Sequence, residues 1–380
     1  MKKFWTAAFA LTAAVSVAAF GCAEMTLDEL KDSFTLEVQT EGLTADELME
    51  KGRQYENGEG VVQWYAMAKA YYQQAQTEGN TEAEAALEAL EADKQEVMEN
   101  SPDAQGEVFD FFRSGVSAGQ AGNYDQAYAT FYDDAFFFED PLLRGIGSLG
   151  DLLRDGNGVE QDIQKAMDIY EFNAKVLGKG NAYTSLGLMY QAENGTYPGI
   201  EHSTDQAIEY FRLSYEAEGL KEADFKGPRY LADYYDAGYT HDDGTVEAPN
   251  YAKAEACYIL ASQGNGRTFD GTACYKLGVY YEEGREGVTQ DDAKAVEYYQ
   301  KAISDKNVHA TMLGIPQTYL ALGRFYESGR GVEQNTETAI EYYTKALEAA
   351  DENLALENAA GNQAAQTVHD EAAAALERLK

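Results

Sequence analysis

Between residues 149 and 346 this chain repeats itself, and that feature limits its fold more than any other. One segment type reads Ala207-Ile-Glu-Tyr-Phe211, Ala295-Val-Glu-Tyr-Tyr299 and Ala339-Ile-Glu-Tyr-Tyr343, with looser copies at Ala166-Met-Asp-Ile-Tyr170 and Ala254-Glu-Ala-Cys-Tyr258. Asn173, Ser214, Ala261, Ala302 and Ala346 follow three positions after the last aromatic. Apolar and small residues at i, i+3, i+4 and i+7 mark one face of a helix, here helix A. A second segment type carries Leu149-Gly150, Leu186-Gly187, Leu231-Ala232, Leu277-Gly278 and Leu322-Gly323. An aromatic follows three residues later at Tyr190, Tyr235, Tyr281 and Tyr326. Glycine inside a helix costs about 1 kcal/mol relative to alanine. Gly150, Gly187, Ala232, Gly278 and Gly323 therefore read as points where helix B lies close against a neighbour.

Helix B ends in a glycine-rich turn: Asp155-Gly-Asn-Gly-Val159, Gly284-Arg-Glu-Gly-Val288 and Gly329-Arg-Gly-Val332. Asp162, Asp205, Asp291 and Asn335 then stand near the start of the next helix A, where short polar side chains cap free N–H groups. A unit of helix A, loop, helix B and turn cannot bury its apolar face alone, so neighbouring units must stack. Upstream the pattern weakens. Gly52-Arg-Gln-Tyr55 with Asn57-Gly-Glu-Gly-Val61 reads as a helix-B end and turn, residues 66–75 as a helix A, and Gly122-Asn-Tyr-Asp-Gln-Ala127 as another unit's start. The expected organisation is a leader over 1–21 and an acidic linker or short helix over 22–43. Degenerate helical repeats over 44–122 precede the main repeat array over 123–350, and a C-terminal capping helix closes it over 351–380.

In this order, Ala-x-x-x-Tyr, Leu-Gly-x-x-Tyr and Gly-x-Gly-Val resemble the Sel-one-like repeat family, helical hairpins related to the tetratricopeptide type. The resemblance is strongest over residues 163–350. It implies an all-α fold, a right-handed α-solenoid of stacked helical hairpins, with Tyr210, Tyr298 and Tyr342 filling the seams between helices. Glu255 departs from the pattern, since the other copies carry Ile, Val or Met there. The longer spacings imply insertions such as residues 219–228 and 306–316. Some relatives carry a disulfide within one repeat. Cys274 matches the second cysteine of that pair, while the first aligns with Ser262 and Cys257 lies five residues earlier. Cys257 and Cys274 are thus a candidate disulfide, with buried free thiols as the alternative.

The 380 residues include 66 acidic and 29 basic side chains, a formal charge of −37. So acidic a surface excludes non-specific nucleic-acid binding, because phosphates would be repelled. Lys2 and Lys3 before an uncharged run to Phe20 read as an export leader, with a retained anchor helix as the other reading. Gly21-Cys22 resembles the end of a bacterial lipobox, which would make Cys22 a lipidated mature N-terminus and the only membrane attachment. A cut after Ala23 is the competing reading. Loss of residues 1–21 removes two Lys and no acid, taking the charge from −37 to −39. Location is accordingly expected to be extracytoplasmic: the periplasm or outer membrane if the cell is Gram-negative.

The candidate chemistry is thin. Gly145-Ile-Gly-Ser-Leu-Gly150 matches the dinucleotide-binding glycine spacing but lacks a preceding strand, and Gly150 already belongs to helix B. His202, His241, His309 and His369 share no spacing, and neither HExxH nor CxxC occurs, so no metal site is expected. His241-Asp242-Asp243-Gly244 reads as a solvated acidic loop. Some cysteine-rich relatives carry a β-lactamase or penicillin-binding label, but Ser-x-x-Lys and Lys-Thr-Gly are both missing here. No catalytic residue and no cofactor are expected. Asp168, Glu209, Glu297 and Glu341 recur once per repeat and form the candidate partner-binding ridge, with an ordinary solvated helix face as the other reading. The expected function is a non-catalytic envelope scaffold that holds a protein or peptide, a basic one in the reading the ridge suggests, and no nucleic acid. An envelope hydrolase is the alternative.

Overall fold

The computed structural model describes residues 29–30, 34, 36, 38–99, 107–138, 144–264, 268–304, 314–355 and 359–380. The leader over 1–21, Cys22 and most of the 306–316 insertion lie outside the described residues. The fold is an all-α solenoid of helical hairpins. Its helices are α1 (Ala45–Asn57), α2 (Tyr65–Thr77), α3 (Ala83–Glu99), α4 (Glu107–Gln120), α5 (Tyr124–Tyr132), α6 (Arg144–Asp155), α7 (Ile163–Lys175), α8 (Gly180–Gln191), α9 (Thr204–Glu216), α10 (Lys226–Ala237), α11 (Tyr251–Gln263), α12 (Gly271–Glu283), α13 (Asp292–Ala302), α14 (Ile315–Ser328), α15 (Thr336–Leu354) and α16 (Ala359–Arg378). Each helix B packs tightly on the helix A that follows it: α1 on α2, α4 on α5, α6 on α7, α8 on α9, α10 on α11, α12 on α13 and α14 on α15.

Local chemistry fixes the helix ends. Thr44 and Glu47 close a capping box at α1. Asp162, Ser203, Asn250, Asp291 and Asn335 each accept an N–H from the first turn of the helix A that they precede. The cap of α9 is thus Ser203 and not Asp205, which lies inside the first turn and is held by other partners. Gly284 and Gly329 end α12 and α14 at φ of 67° and 70°, a left-handed conformation that glycine adopts without strain. Between α10 and α11 a two-stranded antiparallel hairpin, β1 (Tyr239–Thr240) with β2 (Val246–Glu247), replaces the glycine-rich turn.

Several expected boundaries move. Position 122/123 falls in the turn of the α4/α5 hairpin and divides one unit. α15 runs past 350 to Leu354 before α16 closes the stack with Val368, Ala372 and Ala375 buried. The first unit is not degenerate: Gly52 lies under Tyr72, as the later glycines lie under their own rings. Within 22–43, expected as an acidic linker or short helix, Leu30 and Phe34 are buried in the core around α5 to α8. After α5 the helix widens into a π-turn over Asp133–Phe137. That turn sends two consecutive carboxylates to different helix starts. Asp133 accepts the N–H groups of Tyr65 and Ala66 at 2.6 and 2.8 Å, and Asp134 accepts that of Gly145 at 2.9 Å.

Candidate functional site

One seam pattern recurs at the B–A contacts and decides which side chains remain for function. A Cβ at Gly150, Gly187, Gly278 or Gly323 would lie 2.9, 2.6, 2.4 or 2.6 Å from the ring of Tyr170, Phe211, Tyr299 or Tyr343. The ring on the glycine is therefore one residue after the expected Tyr210, Tyr298 and Tyr342. Those three stack instead on the tyrosine three residues past the glycine. Tyr190–Tyr210, Tyr281–Tyr298 and Tyr326–Tyr342 have centroids 5.6, 5.6 and 5.5 Å apart. Tyr55–Tyr71 repeats the arrangement at 5.5 Å in the first unit. Of these rings Tyr71 and Tyr281 are buried, and Tyr55, Tyr190, Tyr210, Tyr298, Tyr326 and Tyr342 are half-buried.

The buried tyrosine hydroxyls donate to carboxylates on the preceding helix B. Tyr299 donates to Glu282 at 2.7 Å, Tyr343 to Glu327 at 2.6 Å, Tyr170 to Asp151 at 2.7 Å and Tyr258 to Asp233 at 2.7 Å. In Tyr299, Tyr343, Tyr170 and Tyr258, burial first and the adjacent carboxylate second push the phenol above its usual range. They act as fixed donors at neutral pH, not as bases. These acids stand four past the glycine (Glu282, Glu327) or one past the small residue (Asp151, Asp233), and where the ring is Phe211 those two places carry Gln191 and Leu188. Sequence reasoning missed this pairing, although its signal was present: the acid accompanies Tyr and is missing where the ring is Phe.

The four ridge carboxylates lie one per unit and do not meet in one cluster. Asp168 is half-buried and accepts from Gln164 at 2.9 Å, and burial pushes its carboxyl up against that donor. Glu209 holds the Arg212 guanidinium in a bidentate pair at 2.6 and 2.9 Å. Glu297 and Glu341 are exposed beside Tyr298 and Tyr342. The open part of the ridge thus belongs to the last two repeats.

Cys257 and Cys274 are buried and not joined to each other, which overturns the candidate disulfide in favour of free thiols. The reason is direction. Cys257 looks back to Tyr215 of α9 and Tyr235 of α10, whereas Cys274 faces Tyr298 and Lys301 of α13. Burial pushes the two thiols up to about 11 and about 12, so neither is an activated nucleophile. Gly145 to Gly150 all lie within α6, and a phosphate-binding strand-to-helix turn is not formed there.

His241 joins the β hairpin to α9. Its Nδ1 meets the Asp205 carboxylate, and its Nε2 lies 3.7 Å from Glu247. The hydrogen bond to Asp205 is the main reason its pKa is raised. The neighbouring Asp242 accepts the Ser203 hydroxyl and the Thr204 N–H, at 2.5 and 2.9 Å. This acidic loop is spent on holding the hairpin. Among the described residues, no group of three or more His, Cys, Asp or Glu is placed to hold a metal ion. Among them, too, no helix is long and apolar enough to cross a membrane.

A sequence model described as the Sel1 repeat matches residues 52–80, 148–172, 181–218, 232–266, 271–307 and 316–351, together more than half of the chain. Among solved structures, a Sel1 repeat protein from Oxalobacter formigenes is similar at 21% identity and a TM-score of 0.44, covering 67% of this chain and 97% of that one. The protective antigen c5321 of uropathogenic Escherichia coli strains, which displays an SLR fold, is similar at 20% identity and a TM-score of 0.36. That match covers 88% of this chain and 86% of the antigen. No curated protein matches.

Proposed function

Because the chain belongs to the Sel1 repeat family, whose members serve in general as protein-interaction scaffolds, we propose that it is a non-catalytic scaffold of the bacterial cell envelope. It holds a protein or peptide segment along the concave face of the solenoid. The leader carries it out of the cytoplasm, and acylated Cys22 is its only membrane attachment. The observation that carries this reading is the recurrence of stacked tyrosine pairs between helix B and helix A, whose helix A rings Tyr210, Tyr298 and Tyr342 are half-buried, joined in the last two repeats by exposed Glu297 and Glu341. Tyrosine edges of this kind offer apolar area and a hydroxyl at small entropic cost, which suits them to protein contacts. With a net charge of −37, the chain favours a basic segment and binds it more weakly as salt rises.

The buried thiols and the tyrosines tied to carboxylates favour no hydrolytic reading. The test is in-cell crosslinking from the helix A face, followed by identification of what is captured. A reproducible envelope partner lost with Glu297→Lys plus Glu341→Lys supports the scaffold. Recovery of nothing at either low or moderate salt would sink it.

A further inference from the structure

Three helix A lysines each cover an aromatic ring. Lys165, Lys253 and Lys294 are the third residues of α7, α11 and α13. Their ammonium groups lie 5.0, 5.2 and 4.8 Å over Phe34, Tyr235 and Tyr281. In the latter two pairs the ring stands three residues past the small residue of the preceding helix B. The negative face of the ring attracts the cation, more strongly where water is excluded. The last unit breaks the series. Tyr326 holds the same place on its helix B, but the third residue of α15 is Thr338. Lys345 lies 5.7 Å over Tyr342, the ring on which Tyr326 stacks. Among the described residues no cation lies over Tyr326 itself.

The two neighbouring rings differ in their acids as well. The Tyr281 hydroxyl donates to Glu255 at 2.6 Å, so that ring draws both its cation and its carboxylate from within the chain. The Tyr326 hydroxyl instead accepts from the Gln300 amide at 2.9 Å. Gln300 lies one helical turn past Glu297 on α13, and Tyr342, 5.5 Å from Tyr326, is next to Glu341 on α15. Half-buried Tyr326 thus links the turn that carries Glu297 to the turn that carries Glu341. Both carboxylates are exposed, and among the described residues neither is ion-paired. Tyr190 also lacks a lysine, with Gln206 in its place, but there Glu209, next to the stacked Tyr210, is already closed by Arg212.

We propose that Tyr326 is the anchor of the partner surface, where a basic side chain of a protein segment takes the place over the ring that a lysine fills in the two preceding units. Charge complementarity selects this occupant. A ring without its lysine, two carboxylates without a counter-ion and a net charge of −37 favour a cation over an acidic or apolar chain. Arginine suits the place better than lysine, because its planar guanidinium stacks on an aromatic face and still donates to a carboxylate. The inference rests on the scaffold reading and deepens it by naming the anchoring residue and the chemistry that it recognises.

The experiment uses the full chain and a fluorescein-labelled peptide of four Arg-Gly repeats, with fluorescence anisotropy as the readout. Thr338→Lys supplies the missing internal cation, as Lys253 and Lys294 do in their units. Thr344→Lys adds the same charge at an exposed position elsewhere on α15. Peptide binding is expected to weaken about tenfold in Thr338→Lys and at most about twofold in Thr344→Lys. Tyr326→Leu is expected to lose about tenfold and Tyr326→Phe, which keeps the ring, at most about twofold. A peptide with glutamine in place of arginine is expected not to bind. Equal weakening by the two lysine variants, undiminished binding to Tyr326→Leu, or equal binding of the glutamine peptide overturns the proposal. So does self-association of the unaltered chain that Thr338→Lys abolishes, which would give the face to a second copy. Should Tyr326→Leu lose helix, saturation-transfer NMR decides. Transfer from tyrosine rings to the arginine methylenes is expected in the unaltered chain and not in Thr338→Lys, and equal transfer in both overturns it. If the peptide fails to bind while crosslinking still captures an envelope partner, only this anchor falls. If the peptide binds through Tyr326 and nothing is captured, only the envelope scaffold falls.

Discussion

Gly278→Ala tests the seam directly. The added Cβ would sit 2.4 Å from Tyr299 Cδ1 and 2.5 Å from Cε1. Ordinary carbon contacts begin near 3.5 Å, so the ring or the helix must retreat by about 1 Å. Tyr299 is 2% exposed and its hydroxyl is fixed on Glu282 at 2.7 Å, so the ring has nowhere to swing without losing that bond. Alanine would return about 1 kcal/mol of helix propensity. Overpacking a buried site costs about 1–3 kcal/mol, and a lost hydrogen bond to a charged group costs about 1.5–3. The expected net effect is a destabilisation of about 2 kcal/mol.

The control lies on the same helix. At Gly271 a Cβ meets nothing nearer than the Ala302 carbonyl at 3.5 Å, so Gly271→Ala is expected to be neutral or slightly stabilising. Because repeat arrays open locally, native-state hydrogen exchange of α12 and α13 is a better readout than a single melting curve. About 2 kcal/mol corresponds to exchange roughly thirtyfold faster in Gly278→Ala. Equal protection in the two variants would refute the close-approach reasoning. Position 232 already carries Ala, but there the hairpin replaces the short turn between helix B and helix A.

Four further outcomes follow from the same geometry. Tyr299→Phe alone is expected to cost about 1.5–3 kcal/mol, and adding Glu282→Gln to recover part of it, since the pair then copies Phe211 with Gln191; strict additivity in urea unfolding would count against the pairing. Cys257 and Cys274 are expected to resist a thiol reagent until the chain unfolds, and rapid labelling of the native protein would contradict their burial. Burial pushes the Glu327 carboxyl up, but the Tyr343 hydroxyl and the Arg378 guanidinium outweigh it and hold the group below its ordinary value of 4.5. Its contribution to α16 docking is therefore present above that value and lost as pH falls through the folded one; α16 exchange rates insensitive to acid in the parent chain, or unchanged by Arg378→Ala, would contradict this. His241 carries the opposite sign: facing Asp205 of α9, Glu247 of β2 and Asp243 of the turn, it steadies the hairpin below pH about 6.5 and loses that hold as pH rises through its raised pKa, which amide exchange of His241→Ala against the parent checks.

How much of this was legible in the sequence depends on the range of each interaction. Helix A, helix B and the turn were readable because each rests on residues within one unit: Ala339 to Tyr343, Leu322-Gly323, Gly329 to Val332. The register across the seam was not, because Tyr298-Tyr299 and Tyr342-Tyr343 offer two adjacent rings of one type, and spacing alone does not say which one meets the glycine. Phe211 resolves it. A ring without a hydroxyl belongs where the acid is missing, and Gln191 stands at that place. The cysteine pair misled for a related reason, since likeness to a disulfide-bearing pattern fixes position along a helix but not direction around it. The ridge carboxylates align in sequence, yet Glu209 is held by Arg212 in a salt bridge that the repeat pattern does not encode.

The N-terminal segment lay beyond any reading by period, because its partner Tyr132 is 98 residues away. One trace of it was nonetheless written in the repeats. Four copies between 186 and 326 place an aromatic three residues past the glycine or alanine, and only the copy at Gly150 places Leu153 there. Lys165 keeps the lysine that covers such a ring in two later repeats. In a stacked array, a unit that keeps one half of a contact and lacks the other marks where a segment from outside the array is received. Phe34 supplies that ring here.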